Sequence, residues 1–261
     1  MRPAALERPP RRIVSLVPSL TEALFALGLG GRVVGVTDWC VHPAEGVAEL
    51  PRLGGTKNPD LERIVRLAPD LVIANREENT RRVVRALEEA GLAVWVTYPR
   101  TVREGAQVLA ALADLGADPE ARRRAVDPVL AALREAESRA KSRSRRTRVF
   151  CPVWRDPWMA AGGDTYIHDL LELCGGENVF ASTGDRRYPK VSLAQVEAAA
   201  PEVVLLPDEP YRFSEADAEE IGRLELPAAR SGRVHLIDGT LVSWYGPRIE
   251  SALRVLGPLL E

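Results

Sequence analysis

Four of the five tryptophans, Trp39, Trp154, Trp158 and Trp244, fall in segments that read as loops, and only Trp95 falls in a strand-like run. Indoles offer flat apolar surface with one N–H donor, so their chemistry is stacking and burial of a partner rather than bond making. A single tryptophan most often plugs the core beneath it. Four on loops at the carboxyl ends of strands make a set, because ligands of open α/β sheets bind outside those ends. The groups that would do covalent chemistry lack the necessary patterns. There is no G-x-S-x-G elbow, no phosphate-binding G-x-x-x-x-G-K-[S/T] loop and no H-E-x-x-H pair. Gly28-Leu29-Gly30 opens like a dinucleotide fingerprint, but position 33 is Val and the run follows a helix rather than a strand. His42, His168 and His235 stand alone, and Cys40, Cys151 and Cys174 show neither C-x-x-C nor metal-ligand spacing. The bland reading of each histidine is structural; His42, in a loop at the strand ends, keeps a role as ligand to a bound metal.

The elements that must position these residues are organised around Leu53–Ala74, because its second half returns later in the chain. Leu61, Ile64, Pro69, Asp70, Leu71, Val72 and Ile73 correspond, 132 positions on, to Leu193, Val196, Pro201, Glu202, Val203, Val204 and Leu205. Each copy reads as a short helix with apolar residues at i, i+3 and i+4 and an N-cap at Asp60 or Ser192. A proline stops each helix, and a fully apolar run suited to a strand buried on both faces follows. Two such units in register predict two similar lobes. Around the first copy the pattern predicts strands at 12–17, 33–36 and 94–98, with a helix over 20–27 opened by a Ser19/Glu22 capping box and further helices over 80–90 and near 102–115. Around the second it predicts strands at 148–153, 178–181 and 234–238, helices over 164–173 and within 210–223, and a closing helix containing Ile249 and Leu256. Strands alternating with helices imply α/β lobes with mainly parallel sheets.

Between the lobes, Pro119–Arg143 carries no strand signal and is rich in Ala, Arg, Glu and Leu, with Val126, Val129, Leu130 and Leu133 at helical spacing. This predicts one long linker helix with Pro128 as its one candidate kink. The division is thus a lobe over 1–116, a linker helix and basic connector over 117–147, and a lobe over 148–261. The connector end, RAKSRSRRTR, holds six basic residues in ten. Without interleaved aromatics it reads as a solvated helix end rather than a nucleic-acid patch. A cleft between two lobes, lined by aromatic side chains, would suit a large, flat, partly apolar ligand.

Bulk properties agree. The chain has 261 residues, 46% hydrophobic and 28% charged, with a formal net charge of −2, so it offers no general attraction to nucleic acid or anionic membranes. No apolar run approaches the length of a membrane span. The opening MRPAALERPPRR has no apolar core of a signal peptide, so no export signal is read in it.

RIVSLVPSLTEALFALGL, LERIVRLAPDLVIA, MAAGGDTYIHDLLELCGGENVF and WYGPRI, in that order, resemble the helical-backbone class of substrate-binding proteins of ABC importers, nearest its cobalamin-binding members. The resemblance runs from about Arg12 to Leu256. It implies two α/β lobes joined by one long helix, little hinge motion, and a corrinoid held without covalent change, with no catalytic cofactor and no structural metal. Siblings bind haem or ferric siderophores, which stay open as alternatives, as does a cytosolic α/β enzyme acting on such a chelate; the absence of paired carboxylates or a nucleophile–base motif favours binding.

The ligand residues implied are Pro18, Ser19, Trp39, His42, Gly54, Gly55, Thr56, Asn75, Arg76, Trp154, Trp158, Trp244 and Tyr245. The pattern departs from cobalamin-binding relatives at Gly54-Gly55 and at Asn75, where those relatives place tryptophans. The class also docks on its permease through one exposed carboxylate per lobe. Glu62 stands at that position, and Glu197 lies one turn beyond its counterpart, Ala194. The partners expected are a small-molecule metal chelate and, if the chain is exported, an ABC permease, for a monomer that neither inserts in membranes nor binds nucleic acid. The implied location is the periplasm; a cytoplasmic one is the alternative if no leader is present.

Overall fold

The computed structural model describes residues 8–184 and 186–261. Most of the segment read for an export signal, 1–7, lies outside the described residues. In chain order the first half forms β1 (Ile13–Ser15), α1 (Pro18–Ala26), β2 (Val33–Val36), α2 (Ala44–Val47), α3 (Leu61–Arg66), β3 (Leu71–Asn75), α4 (Arg81–Glu89), β4 (Val94–Thr97), α5 (Val102–Ala113) and α6 (Pro119–Ser142). The second half forms β5 (Thr147–Phe150), β6 (Pro152–Trp154), β7 (Met159–Ala160), α7 (Tyr166–Leu173), β8 (Gly176–Asn178), α8 (Leu193–Ala199), β9 (Val203–Pro207), α9 (Glu215–Gly222), α10 (Pro227–Arg230), β10 (Val234–Ile237), α11 (Thr240–Ser243) and α12 (Arg248–Leu259).

The chain divides into two compact units. The first holds 1–99, 104–129 and 245–247; the second holds 100–103, 130–244 and 248–261. In the first unit a parallel sheet runs β2-β1-β3-β4, and in the second a parallel sheet runs β10-β9-β5-β8. Read from its other edge, the second order is β8-β5-β9-β10, the topology of the first. In each, the central strand of the repeated unit is wholly buried, as its continuous apolar run requires: LVIAN in β3 and VVLLP in β9. A short antiparallel pair, β6-β7, completes the second unit.

The repeat extends to side-chain detail. Asp60 and Ser192 cap α3 and α8, accepting from the N–H of Arg63 and Gln195. Ala68 and Ala200 both turn the chain with a φ of 44°. Arg12 Nη2 donates to Leu67 O at 2.6 Å and Arg148 Nη2 to Ala199 O at 2.8 Å, so each guanidinium satisfies a carbonyl orphaned at a helix end. The carboxylates of Asp70 and Glu202 then accept from the backbone N–H of the same two arginines, at 2.9 and 3.0 Å. Each sheet's first strand is thereby fastened to its repeated unit.

Two expectations shift. The helix expected from Leu20 with a Ser19 cap begins instead at Pro18, with Val17 as N-cap and no side-chain cap bond. Proline lacks an N–H and has its φ preset, so it opens a helix without a capping partner. The strand expected at 178–181 is Gly176–Asn178, because Asn178 ends it: its Oδ1 accepts from Phe180 N at 3.1 Å and its Nδ2 donates to Ala161 O at 2.9 Å. The long helix is present as α6, 24 residues, with Pro128 inside it. All five arginines of the basic connector are paired with carboxylates, Arg139 with Glu135, Arg143 with Glu261, Arg145 with Glu202, Arg146 with Glu172 and Arg148 with Glu177. That run is neutralised locally and presents no stripe of unpaired cations.

Candidate ligand-binding site

In the first unit, three loops leave the carboxyl ends of β1, β2 and β3, and one asparagine ties them together. Asn79 Nδ2 donates to Thr56 O at 2.8 Å and to Leu16 O at 3.3 Å, while its Oδ1 accepts from Asn75 N at 2.8 Å. Asn75 is itself buried and fully used: its Oδ1 accepts from the N–H of Glu77 at 2.7 Å, and its Nδ2 donates to Tyr245 Oη at 2.7 Å. Tyr245 Oη lies 3.2 Å from Thr97 Oγ1, and burial pushes this phenol's pKa well above its ordinary value. These residues form a rigid polar floor.

On that floor stand the exposed groups. Trp39 follows β2 and is 66% exposed. A Cβ on Gly55 would lie 2.7 Å from Asn58 Oδ1 and at contact distance, 3.9 Å, from Trp39 Nε1, and Gly54 has a φ of +82°, so the glycine pair both turns the chain and leaves room for the Asn58 amide beside the indole. Arg76 follows β3 and sets its guanidinium 4.8 Å from the centroid of the Tyr98 ring. Pro18 and Ser19 are buried in the first turn of α1, and Thr56 is buried in the turn that Asn79 holds. His42 is partly exposed and precedes a cis Pro43.

The second unit carries an aromatic row that runs from its surface into its core. Trp154, 44% exposed, meets Tyr211 edge-on at 5.6 Å, and Tyr211 lies 4.8 Å from Phe213. Phe213 stacks on Trp158 at 5.5 Å and 16°, and Trp158 leads through Phe150, at 6.4 Å, to Phe180, 5.4 Å further on. Trp154 therefore sits in β6 and not in a loop, at the wet end of a packed row, while Trp158 belongs to the core cluster. The β6-β7 turn is clamped by Arg155, which pairs with the carboxylates of Asp217 and Glu220 and lies over the Trp158 ring at 5.5 Å. Burial alone would raise the Asp217 carboxyl, but hydrogen bonds from Ser214 and Arg155 outweigh it and hold its pKa below the ordinary value. Trp244, C-cap of α11, is buried, with the Arg248 guanidinium 4.8 Å from its ring centroid.

Of the tryptophans, Trp39 and Trp154 are exposed, whereas Trp158 and Trp244 are buried, as are Asn75 and Tyr245. Sequence reasoning missed Asn79, Tyr98, Arg155, Tyr211 and Phe213. The Pro207–Pro210 spacing after the apolar run of β9 was the one signal that a shaped loop carries Tyr211 there. Among the described residues no group of three or more His, Cys, Asp or Glu could hold a metal ion. The two carboxylates read for docking differ: Glu62 lies in the first turn of α3 with its side chain 89% exposed, 3.5 Å from Arg66, whereas Glu197 Oε1 accepts from Glu225 N at 3.0 Å and holds a loop. No helix among the described residues is long and apolar enough to cross a membrane.

This arrangement offers stacking surface and fixed polar groups. The chain is 28% identical over 245 residues to a vitamin B12-binding protein of Vibrio parahaemolyticus, covering 94% of this chain and 87% of that protein. It is 30% identical over 218 residues to a vitamin B12-binding protein of Yersinia pestis, covering 83% and 76%. The crystal structure of the periplasmic vitamin B12 binding protein BtuF of Vibrio cholerae superimposes with a TM-score of 0.82 at 26% identity, covering 96% of each chain. The periplasmic heme-binding protein RhuT from Roseiflexus sp. RS-1 follows with 0.78 at 27%, covering 95% and 97%. The sequence profile of the family described as periplasmic binding protein matches residues 13–240. The chain belongs to that periplasmic binding protein family, as a non-enzymatic substrate-binding protein of an ABC importer.

Proposed function

We propose that this protein holds a corrinoid of the cobalamin type in the periplasm and hands it, chemically unchanged, to an ABC permease. The observation that carries this reading is the exposure of Trp39, which follows β2, and of Trp154, which ends β6 and meets Tyr211 edge-on. An exposed indole offers flat apolar surface on which a ligand ring can stack. A corrin ring has a broad, partly apolar face and a rim of amides, so it requires stacking surface and a few polar groups. In the first unit Trp39 and the Arg76–Tyr98 pair supply these; in the second, Trp154 and Tyr211 do. Pro18, Ser19, Gly54, Gly55, Thr56, Asn75, Trp158, Trp244 and Tyr245 shape and brace the two surfaces, and His42 is the candidate to approach the chelated metal. Glu62 is the docking carboxylate for the permease. The vitamin B12-binding relatives support the corrinoid; the likeness to RhuT favours haem as the second reading.

Titration of the purified protein with cyanocobalamin, dicyanocobinamide, haemin and a ferric siderophore, followed by tryptophan fluorescence, tests this. Corrinoids are expected to quench at low micromolar concentration or below, with weaker binding in Trp39→Ala and Trp154→Ala. Saturation by haemin or siderophore alone would assign the protein to another ligand, and silence with all four would overturn the chelate reading.

A further inference from the structure

The charges on α4 run against its dipole. Acids are favoured in the first turn of a helix and bases in the last. α4 has no acidic residue in its first turn and no basic residue in its last. Arg81 and Arg82 open it, Arg85 follows one turn on, and Glu88 and Glu89 close it. Elsewhere in the first unit arginines meet carboxylates, as Arg122 does with Asp114 at 2.7 Å and Arg124 with Glu120 at 3.1 Å, or donate to backbone carbonyls, as Arg12 and Arg32 do. Among the described residues, Arg81, Arg82 and Arg85 form no side-chain hydrogen bond and no ion pair. Neither helix stability nor local pairing accounts for three guanidinium groups at this end.

These arginines border a groove. A recess of about 360 Å³ lies between α4 and the edge strand β4, with Val84 and Val96 as its apolar wall, Arg76, Arg81 and Arg85 along it and Glu88 among its lining. Arg76 is the point where this groove meets the candidate ligand surface, since the same side chain lies over Tyr98 at the end of β4. Three guanidinium groups beside an apolar wall, on a chain whose net charge is −2, recognise an anion carried on an organic arm. A carboxylate or a phosphate satisfies that chemistry, and a phosphodiester fits it with one negative charge shared over two oxygens and organic groups on both sides to lie along the apolar wall.

We infer that this groove takes the phosphodiester of the ligand's nucleotide arm, with Arg81 and Arg85 as its donors, so that the protein selects complete corrinoids over those lacking the arm. This rests on the corrinoid reading above. Cyanocobalamin carries the phosphodiester and dicyanocobinamide does not, so the affinity ratio of the two isolates the groove. In the wild-type protein at low salt the ratio is expected to be about tenfold in favour of cyanocobalamin, the size of one charge-assisted hydrogen bond, and to shrink as salt rises. In Arg81→Gln/Arg85→Gln the ratio should fall to about one. The charge-matched control Arg123→Gln/Arg124→Gln should keep the wild-type ratio. Thermal melts of both double variants within a degree or two of wild type would establish that folding is not the cause. Equal binding of the two corrinoids by the wild type, or a ratio that survives the Arg81/Arg85 change, overturns the inference while leaving the corrinoid reading standing; no binding of either corrinoid removes both.

Discussion

Asn75 and Tyr245, 170 residues apart in sequence, share a 2.7 Å hydrogen bond in which the amide Nδ2 donates to the phenol oxygen. The bond ties the end of β3 to a short piece of chain, 245–247, that packs with the first unit although it lies near the carboxyl end of the sequence. Both groups are buried, so removing the hydroxyl leaves Asn75 Nδ2 with only the longer contact to Thr97 Oγ1 at 3.3 Å. Tyr245→Phe is expected to lower stability by about 1–3 kcal/mol, the cost of an unsatisfied buried donor. Denaturant unfolding measures this directly. A loss near zero would mean that Asn75 relaxes to other partners.

The two tryptophans of the β6-β7 segment should separate binding from folding. Trp158 sits in the core, stacked on Phe213, and Trp158→Ala should cost about 3–5 kcal/mol, as large-to-small aromatic changes in cores do. Trp154 is 44% exposed and touches the row only at its outer end. Trp154→Ala should change stability by less than about 1 kcal/mol while weakening corrinoid binding by about tenfold, the magnitude of one lost aromatic contact. Equal stability losses in the two variants would contradict the division made here.

That division marks where the sequence stops being legible. The repeat at 132 positions was visible because it rests on local signals, an N-cap, a helical apolar stripe, a proline and a buried strand, and each recurs in place at Asp60/Ser192 and Ile64/Val196. The matching grips of Arg12 and Arg148 were not, since an arginine just before β1 or at the start of β5 looks like any solvated charge until the carbonyl it reaches, 55 and 51 residues away, is known. The same holds at the site. Tryptophans on loops drew attention by composition, but whether a ring is wet or packed depends on Tyr211 and Phe213, more than 50 residues further along. Ser19 shows the opposite failure: a sound capping pattern lost to Pro18, which opens the helix two residues earlier.

Acid should loosen the β6-β7 turn through Asp217. Its carboxylate caps α9 by accepting from Ser214 N and Oγ, both at 2.7 Å, and pairs with Arg155. Its folded pKa lies below the ordinary 3.8, so the folded state binds fewer protons than the unfolded state between the two values. The stability it contributes is therefore fully present above pH 3.8 and is lost as pH falls through the folded value. Asp217→Asn should cost on the order of 3 kcal/mol at pH 7, because it leaves a partly buried Arg155 with Glu220 and the longer, exposed contact to Asp156. Measured by denaturant unfolding across a pH series, the gap between wild type and variant should narrow only below that range. A gap independent of pH would assign the loss to packing rather than to the charge.

Glu62 tests the transport assignment without touching the ligand surface. It projects from the first turn of α3, where a carboxylate already suits the helix dipole, and among the described residues its ion pair is the exposed one with Arg66 at 3.5 Å. An exposed rim charge of this kind governs recognition and encounter rather than folding. Glu62→Arg should therefore leave the melting temperature and the corrinoid affinity close to wild type. Stimulation of ATP hydrolysis by the reconstituted cognate permease should fall at least tenfold, with like charges now facing each other wherever the carboxylate had met a basic group. Glu197→Ala gives the contrast: that carboxylate already holds Glu225 N, so its loss should appear in stability of the loop before α10 more than in coupling. Full coupling in Glu62→Arg would leave Glu62 as a helix-terminus carboxylate and move the docking contact elsewhere on the protein.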